Sequence, residues 1–147
     1  MAIVGLGDVK YVVDENLLSL GNGMVTLRRD TARFSRHPVE ELLPRGIADP
    51  DWIPIVGDRG WVIITNDKRL RTRPAEAELA VAHKLKVIHL HGDIGNKPAW
   101  DQFVRLATRW ASIENHVDRT PDGPWWLSVR RNGVEVMQFA PGAAERA

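Results

Sequence analysis

The stretch Gly60-Trp-Val-Ile-Ile-Thr-Asn-Asp-Lys68 decides the fold of this chain. Its run of apolar residues between a glycine and a polar segment is typical of a strand that is buried on both faces, as in a parallel sheet. The strand ends at Thr65, and Asp67 follows two residues later. Because ligands of open α/β sheets bind at the carboxyl ends of the strands, Asp67 is a candidate functional residue.

A second acidic strand end lies near the start of the chain. The segment Lys10-Tyr-Val-Val-Asp-Glu-Asn16 places Asp14 and Glu15 directly after another apolar run. Two strand-end acids from distant parts of the chain indicate a carboxylate cluster at one edge of a sheet. Such carboxylates repel one another unless a cation lies between them, so the pattern predicts a cation site.

Strands and helices alternate along the rest of the chain, which favours an α/β fold with a parallel sheet. We predict strands at 9–13, 31–35, 61–65 and 87–91, and helices at 17–29, 38–43, 49–56, 74–84 and 98–115. Asp49 is expected to cap its helix, with Pro50 at the first helical position. The Asn132-Gly133 turn predicts a C-terminal β-hairpin over 124–129 and 134–139. We assign three aromatic residues of the last helix to the core because they share a helical spacing: Trp100, Phe103 and Trp110.

Composition is that of an ordinary globular protein. The 147 residues predict one domain, over residues 1–141, followed by a disordered tail at 142–147. A net charge of +1 gives no overall nucleic-acid signal, and the lack of cysteine excludes disulfides and thiolate metal sites. The opening Met-Ala-Ile-Val-Gly-Leu-Gly does not read as a signal peptide, and no apolar run suits a membrane span, so we expect a cytoplasmic protein.

Three motifs resemble those of the PIN-like nucleases, and more closely those of the VapC-type toxins: Val13-Asp-Glu-Asn-Leu, Gly46-Ile-Ala-Asp-Pro-Asp-Trp-Ile and Gly60-Trp-Val-Ile-Ile-Thr-Asn-Asp-Lys. The resemblance implies a three-layer α/β/α fold with a central, mostly parallel sheet. It also implies Mg²⁺- or Mn²⁺-dependent hydrolysis of RNA, with Asp14, Asp49 and Asp67 as the catalytic, metal-binding acids. Typical members often have a fourth acid, for which Glu76 is our candidate and Asp93 the weaker one.

The same resemblance suggests partners. The basic run after Asp67 would hold the RNA backbone next to the acids, through four residues: Lys68, Arg69, Arg71 and Arg73. A toxin of this kind implies a cognate VapB-type antitoxin, and members of the family often form homodimers. Carboxylate oxygens suit hard divalent cations, which make a bound water more acidic and neutralise charge on the phosphate.

Each assignment also has a structural alternative. Asp14 and Asp49 stand where helix caps are common, Asp67 suits a turn, and a basic run is as often a solubilising loop. His89 and His91 could form a metal pair, but without a third ligand we interpret them as packing residues.

For the whole chain, a receiver-type phosphoacceptor domain fits poorly because Thr65 and Asp67 share one strand end. A catalytically inactive PIN-like module that binds nucleic acid or protein remains the alternative function.

Overall fold

The computed structural model describes residues 4–143 and contains one six-stranded sheet in the order β2-β1-β3-β4-β5-β6. The first five strands are parallel, and β6 is antiparallel to β5. Their bounds are, in order, Tyr11–Val13, Thr31–Arg33, Val62–Thr65, Lys86–Leu90, Trp125–Arg130 and Gly133–Met137. The structure therefore confirms the predicted mostly parallel sheet with a C-terminal hairpin.

Helices cover both faces of this sheet. The α-helices, α1 to α5, are Leu18–Leu27, Asp49–Asp58, Arg69–Thr72, Pro74–Ala82 and Ala99–Arg119. Short 3-10 turns occupy Leu6–Asp8, Glu15–Leu17 and Gly92–Asn96. Within residues 4–143, no helix has the length and apolar character needed to cross a membrane.

Two apolar cores lie on opposite sides of the sheet. Val12, Ile63, Val87 and Trp126 pack on one side with residues of α2 and α4, whereas the alternate strand residues pack on the other side with α1 and α5. Successive strand residues point to opposite faces, so a strand covered on both sides is apolar at nearly every position. This explains the uninterrupted apolar run before Thr65 and confirms the three-layer α/β/α architecture.

The strand order changes direction at β1. From β1 the chain continues to β2 on one side, and it returns through α2 to β3 on the other side of β1. In open parallel sheets, the crevice at such a switch point, at the carboxyl ends of the strands, is the usual ligand site. The residues that follow β1 and β3 border this crevice.

The predictions of a helix at 38–43 and of a core position for Trp100 are wrong. Residues 38–43 form turns instead of a helix. Pro44 prevents a helix from continuing past Leu43. A single turn, closed by a hydrogen bond from the Leu43 N–H to the Val39 carbonyl, is enough to bury both of these side chains. Trp100 is 71% exposed and is not a core residue. It lies two residues before the buried Gln102, which places it on the opposite side of α5.

The predicted tail starts with an ordered contact, since the Gly142 N–H donates to the Thr72 carbonyl at 2.7 Å. The rest of that prediction, at 144–147, lies outside the described residues. The single-domain boundary at residue 141 stays a prediction.

A close approach between α2 and the end of α4 predicts the effect of a single methyl group. A Cβ at Gly57 would lie 2.4 Å from the His83 carbonyl oxygen, so Gly57→Ala should destabilise the protein by about 1–3 kcal/mol. Gly23→Ala is the matched control, because its Cβ meets nothing within 4 Å and the helix should gain about 0.5–1 kcal/mol. Urea unfolding of both variants measures the difference, and equal stabilities would contradict this packing.

Candidate functional site

Asp14 stands at the carboxyl end of β1 and is almost fully buried, with 6% of its surface exposed. Its Oδ2 accepts a hydrogen bond from the Thr65 hydroxyl at 2.7 Å. The Thr65 oxygen in turn accepts a bond from the Asp67 backbone N–H at 3.0 Å. This two-step chain joins the ends of β1 and β3 across the switch point and fixes the Asp14 carboxylate.

Asp67 lies in the turn between β3 and α3. Its Oδ1 accepts from the Arg69 backbone N–H at 3.0 Å and from Arg69 Nε at 3.2 Å. The turn role that the sequence offered as the alternative is therefore present. It does not exclude a functional role, because a carboxylate has two oxygens and about four acceptor positions.

Asp49 is the first residue of α2, and Ala48 occupies the cap position, so the expectation that Asp49 caps the helix is wrong. Its Oδ1 accepts instead from the Trp52 indole N–H at 2.8 Å. This bond forms within the first turn and sets the orientation of the carboxylate.

Glu15 is a residue whose role the sequence analysis missed. Both of its carboxylate oxygens accept from the Gly46 N–H, at 2.9 and 3.1 Å. Gly46 has a positive φ of 80°, which a glycine adopts without strain. Gly46 lies three residues before Asp49. The Glu15 bond therefore connects the segment that leads into α2 with the end of β1.

The three predicted acids influence one another electrostatically. The pKa of Asp14 is raised to about 6, mainly by burial and in addition by the negative charges of Asp49 and Asp67, while the hydrogen bond from Thr65 lowers it. Asp49 and Asp67, which belong to different elements, therefore lie near enough to Asp14 for their charges to act on it. A cation near Asp14 would reverse this shift.

The donor set suits a hard divalent cation, although the described part of the chain forms no complete cage. Among residues 4–143, no group of three His, Asp or Glu side chains is arranged to hold a metal ion. Mg²⁺ usually takes only one or two protein carboxylates and keeps its remaining waters, so oxygens from this cluster are sufficient in kind and number. The metal role of Asp14, Asp49 and Asp67 stays a prediction.

The two candidates for the fourth acid have different surroundings. Glu76 lies in the first turn of α4, where one oxygen is 4.0 Å from Arg73 and the other is buried without a hydrogen-bond partner among the described residues. Asp93 lies after β4 and lines a cleft together with Asp67. Of the two, only Asp93 belongs to the described lining of that cleft.

The four basic residues after Asp67 face different surroundings. Lys68 and Arg69 line the same cleft. Arg71 donates to the Gln138 carbonyl at 2.9 Å, and Arg73 faces Glu76. The segment 138–142 runs beside α3, because the Ala140 N–H also donates to the Arg71 carbonyl at 2.9 Å. The predicted RNA contact stays a prediction, and its best-placed members are the two residues in the cleft.

The cleft has a volume of about 460 Å³ and opens at the carboxyl ends of β3 and β4. Polar residues and one glycine line it: Asn16, Asn66, Asp67, Lys68, Arg69, His89, His91, Gly92, Asp93 and Asn96. Sequence reasoning treated both histidines as packing residues. Strand register is the signal that would have placed them here, because it aligns Thr65 with His89 at the same edge of the sheet.

A scan of family models matches residues 9–92 to the PIN like domain family. The chain belongs to this family. The match covers more than half of the 147 residues, from β1 through β4, and includes the acids after β1 and β3. Searches of curated proteins and of solved structures gave no match. PIN-like domains are generally nucleases and typically use divalent metals, so this chain has a nuclease fold.

The raised pKa of Asp14 predicts that Asp14→Asn stabilises the protein at neutral pH. Between about pH 4 and pH 6 the unfolded chain loses the Asp14 proton before the folded chain does, so wild-type stability falls as the pH rises through this window. The amide carries no charge and its oxygen can still accept from Thr65. The gain at pH 7 should be about 1–3 kcal/mol and should vanish below pH 4.

Urea unfolding at pH 4 and pH 7 in chelator, with Asp51→Asn as the exposed control, measures this gain. A variant that is less stable than the wild type at pH 7 would contradict the electrostatic argument.

Proposed function

We propose that this protein is a Mg²⁺- or Mn²⁺-dependent endoribonuclease. The proposal is supported by Asp14, which follows β1 at the switch point of the sheet, and by the charges of Asp49 and Asp67, which act on Asp14 and raise its pKa. Membership of a family of nucleases supports the reaction class. The restriction to RNA rests on the resemblance of the three motifs to VapC-type toxins.

The side chains would divide the work. Asp14, Asp49 and Asp67 would hold the cation, with Thr65 keeping Asp14 in position, and Asp93 is the better-placed further acid. When bound, the metal would supply a more acidic water as nucleophile and neutralise charge on the phosphate oxygens. Lys68 at the cleft would bind the backbone phosphates and position the substrate without reading its sequence.

Removing one predicted ligand provides the direct test. Asp67→Asn should lower divalent-dependent cleavage of single-stranded RNA at least about a hundredfold, because metal stabilisation of phosphate charge contributes several kcal/mol. Asp51→Asn, an exposed carboxylate in the first turn of α2, should keep wild-type activity. Circular dichroism confirms that both variants fold. Equal cleavage by wild type and Asp67→Asn would remove Asp67 from the mechanism.

We further propose that the chain is the toxin of a VapBC-type pair, inhibited by a small VapB-type antitoxin. The support is the resemblance of the motifs around Asp14, Asp49 and Asp67 to those of VapC-type toxins. Induced expression without an antitoxin should then arrest bacterial growth, and Asp67→Asn at the same protein level should not. Normal growth with abundant wild-type protein would argue against the toxin role while leaving the nuclease proposal intact.

One observation favours a second candidate function. The described residues contain no preformed group of three metal ligands, which is also what a catalytically inactive PIN-like binding module would show. Isothermal titration with Mn²⁺ separates the two. An active nuclease should bind the ion in a manner sensitive to Asp14→Asn, whereas an inactive module should give the same null result with both proteins.

A further inference from the structure

A row of polar side chains crosses the sheet next to the acids. Register aligns Thr65 with His89 and His89 with Ser128, and Asp14 follows the pair Val13 and Ile64. All four residues extend the face that carries Val12, Ile63, Val87 and Trp126, because side chains two positions apart share a face. All four are also buried.

The two halves of this row differ in their hydrogen bonds. Asp14 and Thr65 are bonded to each other. In contrast, neither ring nitrogen of His89 nor the hydroxyl of Ser128 makes a well-formed hydrogen bond to a described residue, although the backbone of Asn66 interacts with the His89 ring and raises its pKa. Buried polar groups are almost always paired, so unpaired ones next to a cleft point to a partner that the protein chain does not supply.

The cleft adds further uncommitted groups. The side chains of Asn16 and Asn96 are exposed and make no hydrogen bond to a described residue. Asn66 donates through Nδ2 to the Gly95 carbonyl at 2.8 Å, which fixes its carbonyl oxygen as an acceptor. His91 Nε2 lies 3.1 Å from Arg130, and since arginine only donates, the neutral His91 ring carries its proton on Nδ1.

The amide and imidazole groups of the cleft suit the neutral base of a nucleotide, whereas Lys68 of the same cleft suits its phosphate. The charged residues of the lining balance, with Asp67 and Asp93 against Lys68 and Arg69. Amides and imidazoles offer donors and acceptors side by side, which is the pattern that base edges complement.

Given the proposed ribonuclease function, we propose that this cleft binds one unpaired nucleobase of the RNA substrate. The amides of Asn16, Asn66 and Asn96 read its edge, and His89 and His91 form the aromatic wall. Unstacked bases are recognised in this way, by hydrogen bonds to their edges together with aromatic contact. A volume of about 460 Å³ is within the usual range of ligand pockets. The cleft would thereby give the nuclease a base preference next to the scissile bond.

Binding of single nucleotides tests this subsite without any cleavage. Calorimetry in chelator with the four ribonucleoside 5′-monophosphates should give measurable affinities that differ between bases. The double variant Asn16→Ala/Asn96→Ala should weaken the preferred nucleotide about tenfold, since it removes two hydrogen-bonding groups. Asn115→Ala, an exposed asparagine of α5, is the matched control and should bind like the wild type.

Ribose 5-phosphate is the decisive comparison ligand. If it binds as tightly as the nucleotides, or if no nucleotide binds, the base subsite is refuted even when RNA is cleaved. If nucleotides bind with a preference that the double variant loses, the subsite stands even when Asp67→Asn and wild type cleave RNA equally. The two proposals can therefore fail separately.

Discussion

The parallel pairing of β1 with β3 brings Asp14 and Thr65 into register, and the rest of the candidate site is built on that pair. Thr65 uses its hydroxyl twice, as donor to Asp14 and as acceptor from the Asp67 N–H, so one side chain positions acids from two strands. The pair lies where the strand order changes direction, which leaves the crevice above it open. The buried carboxylate of Asp14 is tolerated there because it accepts a hydrogen bond from Thr65. Its raised pKa reflects the free-energy cost of burying the charge.

The site residues also carry structural roles. The carboxylate of Asp49 accepts from Trp52, that of Asp67 holds the turn before α3, and that of Glu15 fixes Gly46. Functional and structural interpretations of an acid are therefore not exclusive in this fold. A substitution at such a position changes both local geometry and charge, so an isosteric amide is more informative than an alanine.

The sequence reveals features that depend on local pattern. The strand ending at Thr65 was predictable because both faces are covered, and the positions of Asp14 and Asp67 followed from the ends of apolar runs. Features that are set by tertiary packing were not predictable. The turns around Val39 form because single side chains of this segment are buried in the core. Trp100 has the helical spacing of core residues but lies outside the buried side of α5. The alignment of His89 with Thr65 and Ser128 requires strand register, which no single segment encodes.

The segment 138–142 connects the C-terminal hairpin back to α3, where it receives a bond from Arg71 and donates to the carbonyls of Arg71 and Thr72. The family match ends at residue 92, so this brace comes from a part of the chain beyond the matched region. If the hairpin opened locally, α3 would lose these bonds. The position of the α3 arginines relative to the turn at Asp67 would then no longer be fixed. The segment after β6 thus supports the wall of the cleft that contains Arg69.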